Sequence, residues 1–327
     1  MNYICLRSPA KLNLFLKVLN KREDGYHNLI TIFERIDLSD KIFLKLNKNG
    51  NIRIFCNNPD VPRGPKNLVY KAARYLRQKF SISHGVDIKI QKNIPVAAGL
   101  GGGSSNAATV LLGLNRLWKL HLKPSELLFI AKTIGSDVAF FLHDFPWALG
   151  TQRGDDIKKL NIRTKLWHVL VVPMVKIYSR DVYAGLKRRF SVKLQKRVTN
   201  VLTHSALLKA GPSVSTLRIP NQKDTEDTNV LTKQMDNVNI LIRQLQNDGF
   251  SLAGKGLSND LEGPIIRIHP PLLRLKERLK SFKTKGVMIS GSGPCVFAVI
   301  SNREEAETLK TALLKEFKRV FVAKTLL

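Results

Sequence analysis

The chain has 327 residues, 43% hydrophobic and 24% charged, and its 54 lysines and arginines against 25 acids leave a net charge of +29. That balance suits a folded protein of two domains and excludes a disordered low-complexity chain. Three scattered cysteines, Cys5, Cys56 and Cys295, exclude a disulfide framework and a zinc site, and no run approaches the roughly 18 to 20 apolar residues of a membrane span.

Arg7, Lys11 and Lys17 interrupt every candidate signal-peptide core, and patterned sequence begins almost at Met1. A cytoplasmic protein with no transit segment is therefore expected. Ile4 to Leu19 reads as a strand ending at the turn Arg22-Glu23-Asp24-Gly25. Ile42 to Leu46 and Ile52 to Phe55 read as paired strands around Asn49-Gly50-Asn51. Leu68, Ala72, Tyr75, Leu76 and Phe80 recur at helical spacing and predict a helix over Asn67 to Phe80. Alternation of Val86, Ile88 and Ile90 predicts a strand to Gln91.

A glycine-rich loop follows, then a helix over Ser104 to Trp118 and another opened by Pro124, Ser125 and Glu126 that ends near Gly135. Trp167 to Val172 is a buried-strand candidate. Residues 187–236 are polar and basic with weak periodicity and read as an insertion. Val287 to Ser290 and Val296 to Ile300 flank a Gly-Ser-Gly turn, and a helix is predicted over Glu304 to Phe317. Irregular alternation with hairpin signals points to α+β. The charge would attract polyanions, a nucleotide triphosphate included. The basic residues are spread along the chain, with clusters at Lys187 to Arg189 and Lys193 to Arg197. No nucleic-acid-binding signature accompanies them, so no nucleic-acid partner is expected.

The strongest chemical signal is Pro95-Val-Ala-Ala-Gly99-Leu100-Gly101-Gly102-Gly103-Ser104-Ser105-Asn106. Glycines let backbone N–H groups approach an anion, and a helix starting at the serines aims its unpaired N–H groups at the same point. Ser104 or Ser105 is expected to cap that helix, and a hydroxyl there can also face Mg²⁺. The loop is not GxGxxG, since Ser104 stands where the third glycine belongs. Gly249-Phe-Ser-Leu-Ala-Gly254-Lys255-Gly256 nearly matches a P-loop, but Gly256 replaces the required hydroxyl residue.

The loop instead resembles the central motif of the GHMP kinases. Ser8-Pro9-Ala10-Lys11-Leu12-Asn13-Leu14 with Arg22-Glu23-Asp24-Gly25-Tyr26-His27 is similar to the N-terminal signature of their diphosphocytidyl-methylerythritol kinase branch. Ile134-Gly135-Ser136-Asp137-Val138-Ala139-Phe140-Phe141 resembles the branch's catalytic aspartate segment. Ser290-Gly291-Ser292-Gly293-Pro294 resembles the third GHMP motif. Asn67-Leu68-Val69-Tyr70 and Asn259-Asp260-Leu261-Glu262 match family patterns too. Ala97-Ala98, Ala139 and Gly150-Thr-Gln-Arg-Gly154-Asp155-Asp156 depart from the usual pattern. The last leaves the role of its loop open.

The resemblance implies an α+β, two-lobed GHMP kinase fold, with a ribosomal protein S5 domain 2-like lobe at 1–165 and a ferredoxin-like lobe at 166–327. It implies ATP and Mg²⁺ as cofactors, a cytidine-diphosphate-linked methylerythritol as the small-molecule substrate, and a monomer or homodimer. Lys11 and Asp137 become the catalytic pair, although Asp137 by itself reads equally well as a helix cap. Asn67, Leu68, Pro95 and Gly99 to Ser105 are implied to hold ATP. Asn13, Tyr26, His27 and Tyr183 are implied to hold the substrate, the two tyrosines stacking on the base.

Overall fold

The computed structural model describes residues 3–186, 237–247 and 256–327. The basic stretch 187–236, and all but Gly256 of the near P-loop match, lie outside the described residues.

The first half runs β1 (Tyr3–Lys21), β2 (His27–Asn47), β3 (Ile52–Cys56), α1 (Leu68–Lys79), β4 (Gly85–Gln91), α2 (Gly102–Leu117), α3 (Pro124–Ile134), α4 (Ser136–Leu142), β5 (Trp147–Thr151) and β6 (Asp156–Lys159). β1 and β2 form one long antiparallel hairpin whose turn is tightened by Gly25 at φ +83. Its register shifts between Asn13 and Phe15, an irregularity of the kind that re-aims side chains beside a site.

The expected pairing of 42–46 with 52–55 does not occur. β4 lies between them, antiparallel to β2 and parallel to β3. A strand–helix–strand crossover through α1 makes β3 and β4 parallel neighbours. β4, with Val86, Ile88 and Ile90 all buried, takes the inner slot, while β3 exposes Arg53 and Phe55 at the edge. α2 begins at Gly102, two residues before the predicted start, with left-handed Gly101 as its cap. Ser104 and Ser105 therefore lie inside its first turn and cap nothing.

The second half contains β7 (Trp167–Val171), α5 (Ser179–Ala184), a helix α6 through 237–246, β8 (Ser258–Asn259), α7 (Glu262–Ile268), α8 (Pro271–Lys280), β9 (Gly286–Ile289), β10 (Val296–Ile300), α9 (Arg303–Leu313) and β11 (Val320–Lys324). α9 stops at Leu313, short of the predicted Phe317. The four-stranded sheet has the order β11-β7-β10-β9, every neighbour antiparallel. Helices between β7 and β9 and between β10 and β11 give it the split βαβ plan of a ferredoxin-like lobe. β8 crosses to the other sheet and extends β1 in parallel.

Period-two alternation divides the core. Leu170, Phe297 and Val299 face the first sheet's Ala10, Leu12 and Leu14, while Val169, Val296 and Ala298 face α7, α8 and α9. On the far side of the first sheet, Ile42, Leu44, Ile88 and Ile90 pack under α1 to α4. A buried polar cluster crosses the shared core: fully buried Glu34 on β2 meets fully buried His168 on β7 at 2.9 Å and accepts from the Thr325 hydroxyl at 2.6 Å.

Candidate active site

A cleft of about 1920 Å³ lies where the two sheets' loops converge. That exceeds the roughly 300–1,000 Å³ of a single small-ligand pocket and admits two nucleotide-sized molecules. Its wall holds the glycine-rich loop. Ser105 N–H is the first to close the α2 ladder, reaching Gly101 O at 2.9 Å, so the N–H groups of Gly102, Gly103 and Ser104 point out of the helix start. Gly99 (φ +77) and Gly101 (φ +69) take left-handed conformations, and a Cβ at Gly99 would lie 2.2 Å from the Ser290 carbonyl oxygen. The third motif clamps the loop: Ser290 Oγ donates to Gly99 O at 3.1 Å and Cys295 N to Ala98 O at 3.2 Å. The result is a rigid anion cradle.

Beneath the cradle lies Lys11, only 4% exposed. Its ammonium donates to Asn13 Oδ1 and, at 3.0 Å, to Gly99 O, and stands 3.8 Å from Asp137 Oδ2. Burial lowers the Lys11 pKa, and the Asp137 charge opposes that shift. Asp137 sits in the first turn of the short α4, after Gly135, and keeps 38% of its side chain exposed. It faces the cleft rather than capping its helix. A buried cation, a solvent-reaching carboxylate and a cluster of free N–H groups make a site able to deprotonate a hydroxyl beside a phosphate.

Another part of the lining is aromatic. Tyr26 sits in the hairpin turn, its N–H held by Asp24 Oδ1 at 3.1 Å, and is 53% exposed. Arg153 covers its ring at 5.2 Å. His27 opens β2 and stacks on Tyr183 with ring centroids 5.3 Å apart and planes 27° apart. Burial lowers the His27 pKa, with the nearby Lys21 charge adding to it, so the ring is held toward its neutral form. Burial raises the Tyr183 phenol, and the Asp137 charge adds to that effect.

Comparison with known proteins bears on this arrangement. The GHMP kinases N terminal domain model matches residues 67–144, and the GHMP kinases C terminal model matches residues 231–319. A 4-diphosphocytidyl-2-C-methyl-D-erythritol kinase of Brevibacillus brevis is 35% identical over 99% of this chain and 96% of its own length. One from Clostridioides difficile is 36% identical over 98% and 95%. The chain belongs to the 4-diphosphocytidyl-2-C-methyl-D-erythritol kinase family. A crystal structure of a 4-(cytidine 5'-diphospho)-2C-methyl-D-erythritol kinase superposes with a TM-score of 0.72 at 28% identity, covering 98% of each chain. A homoserine kinase from Cytophaga hutchinsonii shares the fold at TM-score 0.69 and 19% identity.

In this member of the kinase family, the cleft lining brings together Lys11, Asn13, Tyr26, His27, Asn67, Leu68, Pro95, Gly99 to Ser104, Asp137 and Tyr183. Ser105 does not reach it: the residue is fully buried with its hydroxyl 2.8 Å from Ser8 Oγ. Asn67 borders the cleft, yet its amide is committed within the fold, accepting from Val69 N at 2.9 Å and donating to Pro62 O at 2.6 Å. Among the described residues, no helix is long and apolar enough to cross a membrane.

Sequence reasoning missed several supports. Fully buried Asp40 accepts from Lys92 Nζ (2.6 Å), Asn93 N (2.7 Å) and Ile94 N (2.8 Å), fixing the entry to the glycine-rich loop. Asn259 donates to Ile289 O and Gly291 O and so shapes the third motif. Gly150, in the loop left open above, faces Thr31 across the sheet; a Cβ there would meet the Phe33 ring at 2.6 Å and Thr31 Cγ2 at 3.0 Å. Each contact joins residues far apart in sequence, so no single segment records it.

Proposed function

We propose that this chain transfers the γ-phosphoryl group of ATP to the 2-hydroxyl of 4-diphosphocytidyl-2-C-methyl-D-erythritol, in the non-mevalonate route to isoprenoid precursors. The carrying observation is the Lys11–Asp137 pair, 3.8 Å apart at the floor of a cleft with the α2 cradle on one side and Tyr26, His27 and Tyr183 on the other. Members of the family bear this substrate in their name.

In this reading Gly99, Leu100, Gly101, Gly102, Gly103 and Ser104 hold the phosphates through backbone N–H groups and the positive end of α2. Ser105 supports them from beneath, while Asn67, Leu68 and Pro95 form the wall beside the adenine. Asp137 accepts the proton of the attacking hydroxyl as a new O–P bond forms and the bond from the γ-phosphorus to the bridging oxygen breaks, releasing ADP. Lys11 orients Asp137 and offsets charge on the transferred group. Asn13 holds the erythritol hydroxyls near Asp137. Tyr26 and Tyr183 take the two faces of the cytosine, and His27 reads its edge.

Mg²⁺ belongs to the same proposal. Of the lining oxygens, the Ser104 hydroxyl and the Asp137 carboxylate would hold it, two hard donors that suit an ion keeping several waters and leaning on substrate phosphates. When bound, it offsets phosphate charge. We take residues 1–165 and 166–327 as the two domains, and the enzyme as a cytoplasmic monomer or homodimer without a nucleic-acid partner.

The test is ADP release with Mg-ATP and four acceptors: diphosphocytidyl-methylerythritol, mevalonate, homoserine and galactose. Turnover with the cytidine compound alone is expected. Turnover with another acceptor would overturn the substrate assignment, and silence across the panel would overturn the kinase reading.

A further inference from the structure

We infer that Thr31 is a positioning residue for the phosphoryl transfer, because its hydroxyl dictates which end of the Asn13 amide faces Lys11; the inference rests on the reading of Lys11 as a catalytic group. Thr31 is fully buried on β2 and Asn13 is 2% exposed on β1. Thr31 Oγ1 lies 2.7 Å from the Phe15 carbonyl oxygen and 2.7 Å from Asn13 Nδ2. A carbonyl oxygen only accepts, so the single hydroxyl proton is spent on Phe15. The hydroxyl is then left as an acceptor, and the group facing it must be the Asn13 NH₂.

That choice propagates. With its NH₂ on Thr31, Asn13 presents Oδ1 to the Lys11 ammonium, which has donors only. Two of the three ammonium N–H groups are thereby used, on Asn13 Oδ1 and Gly99 O, and the third is free to face Asp137 and the cleft. A flipped Asn13 would set an NH₂ against the ammonium and cost Lys11 an acceptor that favours its charged form in a buried setting. Gly99 O alone would then fix the direction of the lysine. Gly150 completes the arrangement: glycine opposite Thr31 leaves the threonine methyl the space a Cβ would take.

The hydroxyl, not the volume, is therefore what position 31 contributes, and Thr31→Val separates the two. The measurement is kcat and KM for both substrates against pH in the wild type, Thr31→Val, Thr31→Ser and Lys11→Ala. We expect Thr31→Val to lower kcat about tenfold at neutral pH, to move its alkaline limb to lower pH, and to leave the KM for ATP unchanged. Thr31→Ser, which keeps the hydroxyl, is expected to restore the wild-type limb. Thr31→Cys, with its weak donor and acceptor, is expected to fall between them and serves if the valine variant does not fold. An unmoved alkaline limb in the valine variant, or in the cysteine variant standing in for it, would overturn the inference. So would equal loss in the serine variant. Unchanged turnover in Lys11→Ala would instead remove the underlying reading of Lys11.

Discussion

The Lys11 ammonium and the Asp137 carboxylate stand 3.8 Å apart, yet the lysine side chain is 5% exposed and the aspartate 38%. The asymmetry divides their roles. A half-exposed carboxylate can meet a substrate hydroxyl, whereas the lysine can act only on groups brought to it, and Asp137 is the first of these.

Asp137→Asn is expected to lower kcat by about 10² to 10⁴, because an amide cannot take the hydroxyl proton. Single-turnover ADP release checks it, and a wild-type rate would reject the general-base role.

Lys11→Met removes the buried charge. We expect kcat to fall by about 10² to 10³, and the rise of stability with pH that Lys11 confers to disappear. The sign follows from linkage. A lysine whose folded pKa is lowered carries its full penalty while charged in both states, and stability recovers as pH rises from the folded toward the unfolded pKa. The activity that needs the ammonium runs the other way, lost over that same rise and at lower pH than for an ordinary lysine. Thermal unfolding and kcat against pH in both proteins test the pair of signs.

Tyr26→Ala is expected to raise the KM for the cytidine substrate about 10- to 100-fold, matching a stacking contribution of ~1–3 kcal/mol. The KM for ATP should stay unchanged, since Tyr26 belongs to the β1–β2 turn and not to the glycine-rich loop or α2. A pure loss of ATP affinity would contradict the placement of the base.

Gly99→Ala places a Cβ 2.2 Å from the Ser290 carbonyl oxygen at a residue with φ +77. The left-handed conformation alone costs about 1–2 kcal/mol, and the backbone clash adds to it. Urea unfolding should show the loss, together with a raised KM for ATP. Gly103→Ala, where a Cβ meets nothing within 4 Å, is the control expected to keep wild-type stability.

The local motifs were legible because their chemistry is written within a few residues. The glycine run and the helix after it, the Lys11-Leu12-Asn13 alternation and the Gly25-Tyr26-His27 turn each specify their geometry through backbone freedom, period two or turn preference. The α+β class, the predicted helix cores and the alternating strand at Val86 to Ile90 come from the same short-range periodicities.

Relationships between distant segments were decided by the tertiary structure. The placement of β4 between β2 and β3 depends on which strand finds a hydrogen-bonding partner along both of its edges, a competition no single segment records. The start of α2 at Gly102 rather than at a serine depends on Gly101 folding against Lys11 and Phe141, where a Cβ would lie 3.0 Å and 2.9 Å away. Thr31, Asp40 and Ser290 gain their partners only when strands and loops from different parts of the chain are brought within hydrogen-bond reach. Backbone propensity and side-chain period act over a few residues and so can be read along the chain; burial and hydrogen-bond direction are properties of the assembled core.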